Sequence, residues 1–177
     1  AFSRREYAPG MHNWRRGKPS EYSTRLREKQ KLKRYYGVRE EQFRRFFNMA
    51  EKGKGNTGTD LLLFLERRLD NVLAQMGFAS SRSQARQIIT HGHVCLNGVR
   101  AKSPSQLVKP GDVITPRGLD RSKKIVKANI DKRIESAVPA WLEVDGAALT
   151  GRIKTMPTRE DIMVPVQEQL VVELLSR

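Results

Sequence analysis

The chain has little of what secreted, membrane-spanning and disulfide-stabilised proteins contain. A single cysteine, Cys95, among 177 residues excludes an intrachain disulfide and is typical of a reducing compartment. The longest wholly apolar run, residues 61–65, is far shorter than the roughly 20 residues that a transmembrane helix needs. No basic segment followed by an apolar stretch opens the sequence, so we expect no secretory signal.

Acidic residues are also scarce, and their distribution divides the chain. There are 34 Lys+Arg against 19 Asp+Glu, a formal net charge of +15. Residues 1–55 carry 16 basic and 6 acidic side chains, residues 56–135 carry 14 and 7, and residues 136–177 carry 4 and 6. This asymmetry predicts a basic part that binds a polyanion and a tail that packs.

Nucleic acid and a membrane surface are the two polyanions to weigh. A membrane surface favours a basic helix with a broad apolar face. Here the basic residues are interleaved with glutamates and aromatic residues on several segments, which favours nucleic acid.

The N-terminal part predicts a basic arm followed by a helix. Residues 1–19 contain Pro, Gly and several arginines and read as an irregular arm that is ordered only by what it binds. Ser20 and Glu21 start a helix that Gly37 ends. One face carries Tyr22, Leu26, Leu32 and Tyr36, the opposite face carries Arg27, Lys31 and Arg34, and Arg25, Lys29 and Lys33 lie inside or beside the apolar face. The opposite face is interpreted as a phosphate-binding face, with a plain solvated face as the alternative. The cations inside or beside the apolar face are expected either to extend their charged ends to solvent or to line the contact edge.

A second helix is predicted over residues 38–50, where three phenylalanines recur at helical spacing beside two arginines. They are Phe43, Phe46, Phe47, Arg44 and Arg45. The aromatic rings could stack on bases, but this spacing favours a buried core. Residues 53–58 then match G-x-G-x-x-G. Because a helix precedes the pattern where a dinucleotide site requires a strand, a flexible linker is the better interpretation.

The strongest periodic signal lies between residues 57 and 77. Thr57 and Asp60 form a helix-start pattern, and Gly77 is a helix stop. Between them five apolar residues are spaced three or four apart, which predicts one continuous helix. They are Leu62, Leu65, Leu69, Val72 and Met76.

A short helix and a small β-structure follow. Ser81 opens a capping box, and the helix that it starts ends at Gly92. Alternating apolar residues then lead to Asn97-Gly98, a strong signal for a two-residue hairpin turn, and residues 109–112 form a second turn. The segment therefore predicts helix, turn, helix and a small sheet.

The C-terminal part predicts a basic helix and then short strands. The helix is expected over residues 120–136. Its inner stripe consists of Ile125, Val126, Asn129, Ile130 and Ile134. Short apolar runs between residues 141 and 173, with turns at residues 145–146 and 156–157, predict strands.

No catalytic or metal site is evident. His91, His93 and Cys95 alternate along the chain, but a closed zinc site needs four ligands and no residue supplies the fourth convincingly. We therefore expect histidines that form hydrogen bonds or contact phosphates, and no metal. Ser81 lacks a G-x-S-x-G context, and no paired carboxylates lie in an apolar setting, so no hydrolytic or acid–base chemistry is predicted.

A binding site is better supported. Arg82 and Arg86 lie at the N-terminal end of the short capped helix, where backbone N–H groups and guanidinium forks favour phosphate oxygens. A DNA-binding helix-turn-helix regulator is one alternative. Positive charge on at least four separate segments, in addition to the arm, instead suits a folded RNA that is recognised by shape and backbone.

A set of motifs occurs in a fixed order along the chain. They are Arg68-Leu69-Asp70-Asn71-Val72-Leu73, Gly77, Ser81-Arg82, Ala85-Arg86-Gln87, His91-Gly92-His93, Asn97-Gly98, Pro104 and Pro110-Gly111-Asp112. This set resembles the RNA-binding module named after ribosomal protein S-four. The flanking residues 7–10, 26–32, 36–38, 42–44, 168–173 and 176–177 are similar to the bacterial-type S-four family of small-subunit ribosomal proteins, so that the resemblance covers essentially the whole chain.

The resemblance implies an α+β fold with two lobes, a mostly helical lobe and a helix-turn-helix/small β-sheet RNA-binding module of the alpha-L type. We expect residues 1–58 to form the basic N-terminal arm and helical lobe. Residues 59–118 are expected to form the RNA-binding module. Residues 119–177 would supply the basic helix and a C-terminal tail that packs back on the N-terminal lobe.

The resemblance also implies function. It points to a non-enzymatic constituent of the small ribosomal subunit that binds small-subunit ribosomal RNA at a multi-helix junction and nucleates assembly. Neighbouring small-subunit proteins are expected partners, with messenger RNA at its entry side and repression of the protein's own operon as further roles. No membrane, cofactor or homo-oligomer is expected, and the location would be the cytoplasmic ribosome, with an organelle ribosome as the alternative.

The residues and the resemblance together predict the RNA contacts. The expected RNA-binding residues are Arg4, Arg5, Arg15, Arg16, Arg27, Lys31, Arg34, Arg44, Arg45, Arg82, Gln84, Arg86, His91 and His93. Bacterial family members normally have a stretch before the part that matches Ala1, which carries a zinc-binding cysteine cluster in some, and we expect no such metal here. The enzyme alternative is a targeting module of an RNA-modifying protein, but the 42 residues after Glu135 are too few for a catalytic domain.

Overall fold

Helices alternate with a small sheet along the chain. The computed structural model describes residue 11, residues 20–132 and residues 138–176, which form seven α-helices and five β-strands. The helices are α1 (Glu21–Tyr35), α2 (Glu40–Glu51), α3 (Thr57–Glu66), α4 (Leu69–Gln75), α5 (Arg82–Thr90), α6 (Asp120–Asp131) and α7 (Glu168–Leu175). The strands are β1 (Val94–Leu96), β2 (Val99–Arg100), β3 (Val113–Pro116), β4 (Leu142–Asp145) and β5 (Thr150–Ile153). The predicted α+β class is confirmed.

One hydrophobic core belongs to a helical lobe formed by α1, α2, α3, α7 and residues 162–166. Phe43, Phe46 and Phe47 of α2 are at most 4% exposed and lie in this core. Because burial of aromatic side chains contributes a large share of core stability, the helical spacing of these rings is explained by packing. The predicted preference for core over base stacking is confirmed for these three.

A second core belongs to the lobe that contains the sheet, here called the module. The five strands are antiparallel in the order β2-β1-β3-β5-β4, and α4, α5 and α6 pack on them. Asn97 and Gly98 close the β1–β2 hairpin with φ angles of 51° and 78°, as a type I′ turn requires. The side-chain oxygen of Asn97 also accepts from the N–H of Val113 at 2.8 Å, which fixes the hairpin to β3.

The single helix predicted over residues 57–77 is wrong, because the chain breaks at Arg68. This residue is extended (φ −66°, ψ 136°) and forms an isolated antiparallel bridge with Leu107. The N–H of Leu69 donates to the carbonyl of Gln106 at 2.9 Å, so the backbone leaves the helix to pair with a distant segment. The apolar residues keep their helical spacing on both sides of the break because each helix has a buried face. The face of α3 packs in the helical lobe, and that of α4 packs in the module.

The lobes divide the chain differently from the expected boundaries. Most of α3 lies within the expected module, residues 59–118, but the helix packs in the helical lobe through its leucines. α6 and the β4–β5 hairpin lie within the expected tail but belong to the module, because Val126 is fully buried in its core and β5 pairs with β3. In the described residues after 118, α7 and residues 162–166 supply the contacts with the helical-lobe core.

The C-terminal strand predicted through residues 170–173 is also wrong. These residues lie in α7, where Val171 is fully buried and Val172 and Leu175 pack beside it. The end of the predicted basic helix, residues 133–136, lies outside the described residues. Among the helices that the structure describes, none is long and apolar enough to cross a membrane.

Candidate nucleic-acid interface

The structure leaves the predicted cations of α1 and α2 exposed. They are Arg27, Lys31 and Arg34 on α1 and Arg44 and Arg45 on α2. Lys31 lies 3.6 Å from Glu28 and Arg44 lies 3.6 Å from Glu40. Exposed pairs of this kind hold little energy, so both cations can exchange a carboxylate for a phosphate. Arg4, Arg5, Arg15 and Arg16 lie outside the described residues.

The cations beside the apolar face of α1 form contacts within the helical lobe, as expected for a contact edge. Lys29 and Lys33 donate to the two carboxylate oxygens of Glu40 on α2, at 2.5 and 2.9 Å. The hydrogen bond from Lys29 is the main cause that lowers the pKa of Glu40 to about 2. Arg25 Nε lies 2.8 Å from Glu173 Oε2 on α7. These three cations therefore hold α1 against its neighbours.

Arg86 on α5 faces the helical lobe. Its Nε donates to Asp70 Oδ2 at 2.8 Å, and its two terminal nitrogens donate to the backbone carbonyls of Gly37 and Tyr36 at 2.5 and 2.8 Å. Gly37 has a φ of 60° and ends α1 in the left-handed conformation that a glycine adopts without strain. One guanidinium thus connects α4 of the module with the turn between α1 and α2.

Arg82, one turn earlier on α5, makes a parallel connection. Its Nε donates to Asn71 Oδ1 at 2.7 Å and one terminal nitrogen donates to the Tyr35 carbonyl at 3.2 Å. Its guanidinium carbon lies 4.3 Å from the centroid of the Tyr35 ring. The expected RNA contacts of Arg82 and Arg86 stay predictions, and the structure gives their nitrogens acceptors within the chain.

A buried polar network lies behind these two arginines. Arg68 donates to both carboxylate oxygens of Asp70 at 3.0 and 2.6 Å, with both side chains at most 2% exposed. The Tyr36 hydroxyl donates to Glu66 at 2.6 Å, and burial together with the charge of Glu66 raises the pKa of Tyr36. Arg68 and Glu66 each have hydrogen-bonded partners, although Nη1 of Arg68 has none among the described residues. Removing one partner of such a buried pair leaves an uncompensated charge and is strongly destabilising.

Gln84 has a structural role in α5. Its side-chain oxygen accepts from the N–H of Ser80 at 2.6 Å, and its amide donates to Asn129 of α6 at 3.3 Å. Asn129 in turn donates to the carbonyl of Phe78 at 2.9 Å. Ser81 caps α5 by accepting from the N–H of Gln84 at 3.2 Å, as its position predicts. The expected RNA contact of Gln84 is untested.

His91 and His93 lie close together at the end of α5, with ring centroids 6.2 Å apart. His91 is exposed, and His93 is half-buried with Nδ1 3.0 Å from the Ser122 hydroxyl of α6. Burial lowers the pKa of His93, and the positive charges of Arg121, Arg117 and Arg100 lower it further. Both effects favour the neutral imidazole, which is a hydrogen-bonding group.

Three arginines around this histidine pair were missed by sequence reasoning. They are Arg100 on β2, Arg117 after β3 and Arg121 on α6, and all three are exposed. Together with His91 and His93 they are called the histidine–arginine surface. The spacing of 117 and 121 across the start of a helix was a usable signal, whereas Arg100 comes near only because the hairpin folds back. The exposed Lys123, Lys124 and Lys127 of α6 continue the basic character.

Gly92 lies buried beneath this surface, and Arg100 passes directly over it. Gly92 has a φ of 73°, and a Cβ atom there would overlap with Arg100 Nε. The terminal nitrogen of Arg100 donates to the His91 carbonyl at 3.3 Å. Only glycine leaves room for this placement.

The G-x-G-x-x-G loop holds a carboxylate of its own chain. Asp60 Oδ2 lies 3.0 Å from the Cβ position at Gly53 and at Gly55. Asn56 caps α3 by accepting from the N–H of Gly58 at 2.9 Å. An anion already lies where a nucleotide phosphate would have to approach, which argues against a nucleotide site here.

Metal-ligating side chains are dispersed over the part of the chain that the structure describes. In those residues, no group of three His, Cys, Asp or Glu side chains is placed to hold a metal ion. Cys95 lies half-buried in β1 as a free thiol.

Two protein families match this chain, one over each part of it, and known proteins are similar to it over both lobes. The family described as "S4 domain" matches residues 67–114, and the family described as "Ribosomal protein S4/S9 N-terminal domain" matches residues 1–66. The boundary between the two matches falls at the break between α3 and α4. Small ribosomal subunit protein uS4 from Trichlorobacter lovleyi is 52% identical over 177 residues, which is 100% of this chain and 85% of that protein.

Two further relatives carry the same name. The protein from Thermoanaerobacter pseudethanolicus is 52% identical over 176 residues, with 99% of this chain and 84% of that protein covered. The protein from Geotalea daltonii is 48% identical over 177 residues, with 100% and 85% covered. Identity at this level over both lobes settles the family: the chain belongs to the uS4 family of small ribosomal subunit proteins.

Proposed function

We propose that this protein is a structural, non-enzymatic constituent of the small ribosomal subunit and that it binds small-subunit ribosomal RNA through cations on both lobes. On the module the contacts come from the histidine–arginine surface. On the helical lobe they come from the exposed cations of α1 and α2.

The observation that carries this proposal is the uncompensated charge around His93. Arg100, Arg117 and Arg121 all act on this one imidazole. In residues 20–132 and 138–176, the ion pairs involve none of these three arginines. Positive charges that lie close together without an internal counter-ion are stabilised by an external anion. The phosphates of a folded RNA are a row of such anions.

The DNA-binding alternative is disfavoured by the position of α5. In a helix-turn-helix regulator the N-terminal residues of the second helix contact base edges in the major groove. Here Arg82 and Arg86, in the N-terminal half of that helix, face the turn between α1 and α2 of the same chain. These guanidinium groups would have to give up their acceptors in the helical lobe before they could contact base edges.

The test compares affinities for two polyanions at one salt concentration. A small-subunit ribosomal RNA transcript and a duplex DNA of arbitrary sequence are titrated with the protein in a filter-binding assay. We expect the RNA to bind more tightly, because a folded RNA presents phosphates to both lobes at once. Equal affinity for both would contradict the proposal.

A finer part of the proposal concerns the order of subunit assembly. Cations on two lobes suit the junction of several RNA helices, and binding there would nucleate folding of the surrounding RNA. The protein alone should then bind the naked transcript before any other small-subunit protein is added. A requirement for a previously bound protein would refute this part.

The remaining roles that the family resemblance implies are also proposed here. Neighbouring small-subunit proteins and messenger RNA at its entry side would be additional partners, and binding to its own message would repress the protein's operon. The site of action would be the ribosome in the bacterial cytoplasm. Repression is tested by translating the operon message in a cell-free extract with and without added protein.

A further inference from the structure

A groove lies between α1 and residues 164–166, and it shares no residue with the histidine–arginine surface. Its volume is about 780 Å³. The lining residues are Leu26, Arg27, Glu28, Gln30, Lys31, Arg34, Tyr35, Val164, Pro165 and Val166. Cations thus follow the length of one wall, and apolar groups form much of the opposite wall.

Tyr35 stands at the end of this groove with its ring held in place. The residue is 41% exposed, although it packs against two partners. The Arg82 guanidinium carbon lies 4.3 Å from the ring centroid, and the Tyr36 ring meets it edge-on with centroids 5.1 Å apart. A large aromatic side chain that is both fixed and exposed loses little conformational entropy when a flat ligand stacks on it.

The charge of the groove restricts the ligand. Arg27, Lys31 and Arg34 face it together with one carboxylate, Glu28, whose Oε2 accepts from the N–H of Gln167 at 3.1 Å. The carboxylate is therefore partly occupied within the chain, and the excess of cations favours a ligand with negative charge beside a flat apolar part. A nucleotide has both parts, since its base is flat and its phosphate is an anion.

We propose that this groove binds an unpaired nucleotide of the ribosomal RNA, with the base stacked on Tyr35 and the flanking phosphates beside Lys31 and Arg34. The proposal rests on the proposed function and adds that the RNA must present a base outside its helices. A paired base offers no free face, whereas single-stranded loops and bulges present bases that stack on aromatic side chains.

The test separates stacking from phosphate contacts by the salt dependence of binding. The full chain and its variants are titrated with a small-subunit ribosomal RNA transcript at several salt concentrations. Tyr35→Leu should weaken binding about 5- to 150-fold, as expected for the loss of one stacked base, with an unchanged slope of log K against log[salt]. Tyr35→Phe, which keeps the ring, should bind like the unmodified protein.

Tyr22 supplies a matched control on the same helix. It is 64% exposed and does not line the groove, so Tyr22→Leu should leave affinity and slope unchanged. If Tyr22→Leu and Tyr35→Leu weakened RNA binding equally, the effect would come from losing any exposed tyrosine, and the proposal would be overturned. If Tyr35→Leu displaced the lobes by removing the contact with Arg82, fewer phosphates would be bound and the slope would fall, which would likewise contradict stacking.

A second measurement needs no variant. The unmodified protein is crosslinked to a transcript that contains 4-thiouridine, and the crosslinked peptides are identified by mass spectrometry. A crosslink at Tyr35 to a uridine outside the RNA helices is the expected result. A protein that binds and crosslinks to the transcript, but at no residue of α1, would overturn the groove assignment. Failure of the unmodified protein to bind the transcript would instead refute the proposed function.

Discussion

Arg86 Nε lies 2.8 Å from Asp70 Oδ2, and through this pair a guanidinium of the module reaches the backbone of the helical lobe. Asp70 is 1% exposed and is already held by Arg68, whereas the Arg86 side chain is 34% exposed. Asp70 is thus the fixed member of the pair, and Arg86 is the member that spans the two lobes. Arg86 therefore contributes to holding the two lobes in their relative position.

Replacing Arg86 tests its role between the lobes. Arg86→Ala removes three hydrogen bonds, two of them to the carbonyls of Tyr36 and Gly37, and should lower the free energy of unfolding by about 1–3 kcal/mol. Arg86→Lys keeps the charge but not the fork, so it should recover only part of the loss. Urea denaturation measures both variants.

Arg44 provides the control for that measurement. Its side chain is 65% exposed and its ion pair with Glu40 spans 3.6 Å, so Arg44→Ala should change stability by less than about 0.5 kcal/mol. An Arg86→Ala variant as stable as Arg44→Ala would mean that Arg86 does not hold the lobes together.

Gly92 and Gly98 allow the stability cost of backbone strain to be measured separately from the cost of a contact with a side chain. Gly92 and Gly98 have φ angles of 73° and 78°, but a Cβ atom at Gly92 would meet Arg100 whereas one at Gly98 would meet nothing within 4 Å. Gly98→Ala should cost about 1–2 kcal/mol from strain alone. Gly92→Ala should cost this strain and also the hydrogen bond from Arg100 to the His91 carbonyl, because the exposed Arg100 side chain must move away. The excess should disappear when Arg100→Ala is combined with Gly92→Ala. Equal costs for the two single variants would show that the contact of Arg100 with His91 across Gly92 does not stabilise the fold.

Acid should weaken the contact between α1 and α2 through Glu40. Its pKa is lowered to about 2 from an ordinary value of 4.5, so its ion pairs with Lys29 and Lys33 stabilise the fold above about pH 4.5 and are lost as the pH falls toward 2. Since a third of the side chain is exposed, solvent screening reduces the contribution to about 1 kcal/mol.

The Glu40→Gln variant removes the charge of Glu40 and so measures what its ion pairs contribute to stability. The variant should be less stable than the unmodified protein at pH 7, and the difference should shrink between pH 5 and pH 2. Glu143→Gln is a matched control, because its pair with Lys154 is exposed on both sides and spans 3.7 Å. A Glu40→Gln difference that is independent of pH would exclude the ion-pair explanation.

Local signals in the sequence were sufficient for several elements. Ser20 and Ser81 cap α1 and α5 as predicted, each by accepting from the backbone N–H three residues later. The Asn97-Gly98 turn formed as predicted because both residues tolerate a positive φ. In each case the determining interaction spans only a few residues.

The elements that were predicted wrongly share one physical cause, because each depends on contacts between residues that are far apart in the sequence. The break at Arg68 depends on pairing with Leu107, about forty positions later in the chain, and no local breaker marks it. Similarly, residues 170–173 are helical because Val171 is buried against the helical lobe, although a short apolar run fits a strand equally well. The inward orientation of Arg82 and Arg86 could not be predicted either, because it depends on where α1 ends in space.

The most direct test of RNA binding by the histidine–arginine surface is the salt dependence of affinity in the Arg117→Ala/Arg121→Ala double variant. Titration with a small-subunit ribosomal RNA transcript should show weaker binding, with the slope of log K against log[salt] reduced by roughly 0.7 to 0.9 for each phosphate that the variant no longer binds. Lys154→Ala, which removes an exposed cation elsewhere on the module, should leave the slope unchanged. A double variant with the affinity and slope of the unmodified protein would contradict the claim that this surface binds the RNA backbone.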